Sequence, residues 1–247
     1  MIVPVSVNML PSKGRLGGES LEMNLKSMTL KNIIDYSMVP GFTYTQRISR
    51  DIDLIRQDIG DLTSRLFLID LDCLIYIKKT ISITTQEDVR VDVICPHCGK
   101  TQSVAMNFRD SLEYCIVPDE ALKVKEVIIG GKTLKFEIPT IDYYHKVIKE
   151  FLKYNEDPNE RISTLCACFN FFDNPREIKR LIEDATLDEI LIVDKLYEWV
   201  SGSRKFHHYE CRSCGKEADV IVPNMSADMF RSVEINNELS GRKLIFK

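Results

Sequence analysis

Two copies of Cys-x-x-Cys-Gly-Lys, at Cys95–Lys100 and Cys211–Lys216, constrain the fold of this 247-residue chain more than any other feature. A glycine directly after a Cys-x-x-Cys pair suits a tight turn that aims two backbone amides at the thiolates. Two such turns present four sulfurs, the tetrahedral set that Zn²⁺ prefers in a closed, structural site. Strand-like alternation flanks both copies: Val89 to Ile94 and Val104 to Met106 around the first, Lys205 to Glu210 and Ala218 to Val222 around the second. Each copy is therefore expected at the tip of a β-hairpin. Together they would form a zinc ribbon with Cys95, Cys98, Cys211 and Cys214 as metal ligands.

The two pairs stand 112 residues apart. Closing a loop that long costs roughly 4 kcal/mol of chain entropy, and a structural zinc site releases on the order of 10–16 kcal/mol. Metal can therefore meet that cost, and an intervening segment that folds with its ends together lowers it. Disulfides fit less well, because adjacent Cys-x-x-Cys pairs suit metal or redox roles in a reducing compartment. A thioredoxin-like motif would sit where a strand meets a helix, which neither copy does. Cys73, Cys115, Cys166 and Cys168 have no comparable spacing and read as small buried hydrophobes.

Hydrophobic residues make up 44% of the chain and charged ones 28%, the balance of a folded protein rather than a disordered one. The net charge of −4 argues against a general nucleic-acid binder. The most apolar run, Leu66 to Ile77, is too short for a membrane span and contains Asp70 and Asp72. Met1-Ile2-Val3-Pro4 does not read as a cleavable signal, so the expectation is a soluble protein made inside the cell.

The pattern along the chain predicts an α+β fold: a mostly helical body with a four-cysteine zinc ribbon made of two β-hairpins, split by an insert of one β-hairpin and helices. Residues 1–88 form an N-terminal arm, strand and helices. The ribbon takes 89–110 and 203–224, the inserted subdomain 111–202, and a C-terminal tail segment 225–247. Leu10 to Gly14 reads as an extended arm or loop, and Leu21 to Lys26 as an edge strand. Thr29 caps a short helix to about Met38, and after a Pro40-Gly41 turn a polar helix runs from about Thr45 to Asp58. Asp61 is placed as the cap of a third helix continuing to Lys79, apolar nearly all round.

Within the insert, Val124 to Ile138 reads as a hairpin turning at Gly130-Gly131. Thr140 caps the next helix, and Ile162, Leu165, Cys166 and Phe169 mark another. Asn174-Pro175 opens a third. The capping box Thr186-Leu187-Asp188-Glu189 opens a fourth helix, ending near Gly202. Its two apolar faces, Ile190/Val193/Tyr197/Val200 and Ile192/Leu196/Trp199, suit either two buried sides or one core side and one partner side.

No catalytic pattern stands out. Gly-x-Gly-x-x-Gly, Gly-Lys-Thr, Gly-x-Ser-x-Gly and His-Glu-x-x-His are all missing. His208-Tyr209-Glu210 matches the His-x-Glu of zinc deaminases, but Cys211 follows at once where those enzymes need a distant cysteine pair. His207 and His208 are read as strand residues, and His97 as a bystander inside its knuckle. His145 is read as an ordinary polar-edge residue. Asp70 and Asp72, two apart on a helix, point in different directions and are read as solvated or capping. A closed four-cysteine site has no position for substrate, so the chain is expected not to be an enzyme and to take no small-molecule substrate.

Three stretches in order carry a family resemblance: Leu10-Pro11-Ser12-Lys13-Gly14; the apolar helix with Asp70-Leu71-Asp72-Cys73-Leu74-Ile75-Tyr76; and Val93-Ile94-Cys95-Pro96-His97-Cys98-Gly99 with its mate at Cys211 and Cys214. In these the chain resembles the baseplate hub assembly proteins of T-even-type contractile-tailed bacteriophages. It departs from them after Pro-Ser-Lys-Gly, where Arg15-Leu16-Gly17-Gly18 stands in place of an aromatic. The resemblance implies a non-enzymatic part or assembly factor of the tail baseplate, acting in the host cytoplasm. Its partners would be other hub proteins and the tape-measure protein, without nucleic acid or membrane. The four cysteines would hold the ribbon, and Pro11 to Gly14 would be a contact segment. The rival reading is a nucleic-acid-associated zinc-ribbon protein, such as a transcription accessory factor, using Lys100, Arg204, Lys205, Arg212 and Lys216. A metal-dependent hydrolase is a third.

Overall fold

The fold was read from a computed structural model that describes residues 2–15, 21–37, 42–83, 88–107, 117–169, 174–201 and 206–221. The 225–247 tail, Cys115 and the Pro40-Gly41 turn lie outside the described residues. The chain is α+β, and its strands pair only as four separate antiparallel hairpins among those residues. β1 (Ile2–Ser6) pairs with β2 (Glu22–Lys26) in a register that sets Ile2 opposite Lys26 and buries Val5, Met23 and Leu25. The Leu21 to Lys26 stretch is therefore half of a hairpin. Its partner is the chain's own N-terminus, which does not run free.

Helix starts follow their capping chemistry. α1 (Leu30–Ser37) opens at Thr29, whose Oγ1 accepts from the Asn32 amide at 3.2 Å. α2 (Tyr44–Ile59) opens on a capping box between Thr43 and Gln46, one residue before the expected start. α3 (Leu68–Ile83) differs from expectation. Asp61 falls instead in a separate 3-10 turn, Gly60–Ser64, and the helix begins seven residues later. The backbone explains the shift. Leu66 O accepts from Ile141 N at 2.9 Å and Leu68 N donates to Pro139 O at 2.8 Å, so 66–68 is committed to a bridge with 139–141. A helix through those residues would forfeit both bonds.

After β3 (Asp88–Ile94) and β4 (Thr101–Asn107), a short hairpin, β5 (Glu126–Ile129) and β6 (Lys132–Lys135), turns at Gly130-Gly131. Four helices follow: α4 (Ile141–Lys153), α5 (Glu160–Cys168), α6 (Pro175–Glu183) and α7 (Leu187–Val200). They are capped by Thr140, Asn159, Asn174 and the Thr186/Glu189 box. β7 (Phe206–Glu210) and β8 (Glu217–Ile221) complete the described chain. None of its helices is long and apolar enough to cross a membrane.

α3 is buried on nearly every side, and a single apolar core joins it to α2, to the β1–β2 hairpin and to α4 through α7. Residues 117–169 and 174–200 thus share their core with α2 and α3. Tyr44 and Tyr144 meet hydroxyl to hydroxyl at 2.7 Å, and Asp157 Oδ1 accepts from both Thr45 N and Thr45 Oγ1 at 2.9 Å. Polar residues in the second half of α3 complete the seam with α2. Lys78 Nζ lies 2.5 Å from Asp58 Oδ2, and Lys79 Nζ lies 3.3 Å from Asp51 Oδ1, with all four side chains buried. Burial lowers the pKa of the Lys79 ammonium, and Asp51 opposes that shift. Such pairs add little net stability over apolar packing, yet breaking one leaves a buried charge. Asp51→Ala is therefore expected to destabilise by about 3–5 kcal/mol, whereas Asp51→Leu combined with Lys79→Met should recover most of the loss. Urea unfolding of both variants checks this.

Candidate metal centre

The β3–β4 and β7–β8 tips are near copies of one another. In the first, Cys95 N donates to Lys100 O at 3.0 Å and Gly99 N to Cys95 O at 2.9 Å. In the second, Cys211 N donates to Lys216 O at 2.9 Å and Gly215 N to Cys211 O at 2.8 Å. Each turn needs a residue with positive φ after its second cysteine. Gly99 (φ +70) and Gly215 (φ +69) supply it without a Cβ penalty.

The four sulfurs of Cys95, Cys98, Cys211 and Cys214 lie within 4.8 Å of one another, close enough to hold one metal ion. Across the hairpins, Cys95 Sγ is 3.8 Å from Cys214 Sγ, and Cys98 Sγ is 3.7 Å from Cys211 Sγ. A tetrahedral ion with metal–sulfur bonds of about 2.3 Å places its sulfurs about 3.8 Å apart, so the pairing fits a single central ion. Cys95 and Cys211 are buried while Cys98 and Cys214 are exposed, so the cluster sits at the surface with one sulfur of each pair facing inward.

Electrostatics within the cluster favour a cation. The Ser213 amide, and then that of Cys214, hold the Cys211 thiol down at about 6. Cys214 rises to about 11 despite the Lys216 amide, through desolvation and the crowding of the other three sulfurs. One thiolate forms readily and a further one beside it does not, unless a positive ion joins them.

Direct contacts also tie the two hairpins. Gln102 bridges them, its Oε1 accepting from Arg212 N at 2.9 Å and its Nε2 meeting Glu210 O at 3.5 Å. His97 Nε2 lies 3.0 Å from Glu217 O, so this ring spans the knuckles and is not part of the sulfur cluster. Gln102 has no spacing signature in the sequence and was not singled out there.

A family model described as T4 bacteriophage base plate protein matches residues 3–231. The chain belongs to that family. No curated protein and no solved structure matches it.

The His-x-Glu stretch places His208 against Asp219 across the β7–β8 pair, where both are exposed. His145 is not at a polar edge: it is buried between α4 and α2. Its Nε2 lies 3.0 Å from Ser49 Oγ and its Nδ1 3.1 Å from the Arg56 guanidinium, whose other arm holds Asp142 at 2.5 Å. Sequence reading missed the Ser49–His145 pair because its members are 96 residues apart. The pair does not have the geometry of a nucleophile and base. Arg56 can only donate, so Nδ1 must accept and the proton sits on Nε2, facing Ser49. Burial lowers the pKa of His145 to about 4, with help from Lys149, and keeps the ring neutral.

Asp70 and Asp72 do point apart, but Asp70 is fully buried rather than solvated. Its Oδ1 accepts from Ser12 N at 2.9 Å, and burial raises its pKa to about 6 despite that bond. Pro11 and Ser12 are buried with it. Arg15 then bonds Val117 O at 2.6 Å and pairs with Asp119, so Pro-Ser-Lys-Gly is a folded clasp, not an extended arm. Asp72 is half-buried beside Tyr44, Tyr144 and Glu160, lining a cavity of about 20 Å³. That volume admits a water, whereas small-ligand sites run to roughly 300 Å³ or more. Cys73, Cys166 and Cys168 are buried, and burial raises the last two well above the usual thiol range.

The folded Asp70 carboxyl keeps its proton to a higher pH than the 3.8 of a free side chain. Stability is therefore greatest below about pH 4 for this group, falls as pH rises toward 6, and stays lower above. Relative to wild type, Asp70→Asn should gain about 3 kcal/mol between pH 4 and 7. Urea unfolding across that range measures the difference. Cys211→Ser should abolish metal uptake and lower Tm by about 10 °C, corresponding to a loss of about 3 kcal/mol. Unchanged melting would exclude a structural centre.

Proposed function

We propose that the chain is a non-enzymatic structural or assembly component of the baseplate hub. In this reading Zn²⁺ held by Cys95, Cys98, Cys211 and Cys214 locks two hairpins into one ribbon, and the helical body presents surfaces to other hub proteins or the tape-measure protein. Assembly would take place in the host cytoplasm before the tail is built. The observation carrying this is the match to the T4 base plate family over residues 3–231, on a chain whose four clustered sulfurs already make a full set for one tetrahedral ion. Such a set leaves no position for water or substrate, so the ion would do no chemistry. The Ser49–His145 tautomer and the water-sized cavity support the same conclusion.

In the proposed organisation, the ribbon (89–110 and 203–224) joins the N-terminal elements (1–88) to the helical segment (111–202). A zinc ion there would fix the exit of α3 relative to the exit of α7, because β3 follows one and β7 the other. The nucleic-acid reading gains little. Lys100, Arg212 and Lys216 are exposed at the tips, but so are Glu210, Glu217 and Asp219 on the same hairpins, and phosphate binding needs a one-signed surface.

Metal analysis of reduced, folded protein should find about one zinc per chain. Affinity capture from infected cells should recover tail proteins. Recovery of polymerase or of DNA in a steeply salt-dependent manner would replace this reading with the rival one.

A further inference from the structure

Among the described residues, α7 carries an apolar surface that nothing packs over. Val193, Leu196 and Val200 face the core, while Leu187, Leu191 and Ile192 are 74%, 63% and 49% exposed on the other side. The helix is held rigidly under that surface. Glu189 caps its own N-terminus and accepts from Gly130 N at 2.7 Å, and Asp194 pairs with Arg161 at 2.6 Å. Charges beside the apolar residues have an internal symmetry. Asp188 stands one turn before Leu191-Ile192, and Lys195 one turn after, lying against the Trp199 ring.

We propose that this face of α7 is an isologous docking surface for a second copy of the same chain, with the two helices antiparallel about a two-fold axis between Leu191 and Ile192. About that axis Leu191 of one copy meets the partner's Ile192, and Asp188 meets the partner's Lys195, twice by symmetry. The antiparallel arrangement also opposes the helix dipoles favourably. A parallel pair would set Asp188 against Asp188 and Lys195 against Lys195. The sequence of charges thus selects both the occupant and its direction. Three apolar side chains on one helix make a small contact beside the roughly 800 Å² per partner of a standard stable interface, so the association proposed is a concentration-dependent monomer–dimer equilibrium.

Sedimentation velocity of the full metal-loaded chain, from low to high micromolar concentration, tests it. Wild type should shift from monomer toward dimer. Leu191→Glu, an exposed position that should leave Tm unchanged, should remain monomeric. Asp188→Lys and Lys195→Asp should each weaken dimerisation about tenfold or more, each placing like charges together twice, and the double exchange should restore it. Wild type that stays monomeric throughout overturns the proposal, as does a dimer indifferent to Leu191→Glu or double exchange that fails to rescue. A monomeric chain that uses this face for a different protein falls under the first of these outcomes.

Discussion

Bringing four thiols from opposite ends of a 112-residue span to within 4.8 Å closes the chain on itself, and most of the architecture is arranged around that closure. The Ser213 amide holds the Cys211 thiol down, while desolvation and the neighbouring sulfurs push Cys214 up, so the four do not ionise together without a cation. The knuckle backbones hold that arrangement. Each glycine accepts a positive φ, each turn closes its own pair of hydrogen bonds, and Gln102 and His97 stitch one hairpin to the other. A cation at the centre would turn this convergence from a cost into the strongest link between the chain's two halves.

The body helps to make the closure inexpensive. The long segment between the cysteine pairs is not a free loop, because α4 through α7 pack on α2 and α3 in one core. Tyr44 with Tyr144, Thr45 with Asp157 and Arg56 with Asp142 join the two sides of that core. Its ends therefore begin close together, and the chain entropy lost on forming the ribbon is smaller than for a random span. The same packing explains the buried charges. Lys78 and Lys79 lie in the second half of a helix that is buried on nearly every side, so their ammonium groups meet Asp58 and Asp51 within the seam.

Local chemistry was legible in the sequence and long-range chemistry was not. The knuckles, the Thr140 cap, the Asn174-Pro175 start, the Thr186 capping box and the Gly130-Gly131 hairpin all depend on residues within a few positions of each other, and each lies where its motif placed it. The start of α3 was misplaced because its competitor is a bridge to residues 139–141, over seventy positions away. Asp70 and His145 were misread for the same reason. Whether a carboxylate or an imidazole is solvated depends on what packs over it, here the Ser12 loop 58 positions distant and α2 some 90 positions distant.

Absence of a catalytic motif is weak grounds for excluding catalysis, since Ser49 and His145 meet without any motif. What separates them from a working pair is the third residue. In a nucleophile–base arrangement the far nitrogen of the imidazole donates to an acceptor, leaving the near nitrogen free to take a proton. Here Arg56 occupies the far side and is itself a donor, anchored on Asp142, which Thr63 also bonds at 2.6 Å. The imidazole is thus locked with its proton toward the serine, and burial depresses its pKa to about 4, so it does not gain a second proton near neutrality. As pH falls below about 6.5 the unfolded chain takes up that proton while the folded one does not. The His145 contribution to stability is therefore lost progressively toward pH 4. Ser49, Arg56, Asp142 and the neutral His145 ring thus fasten α2 to α4.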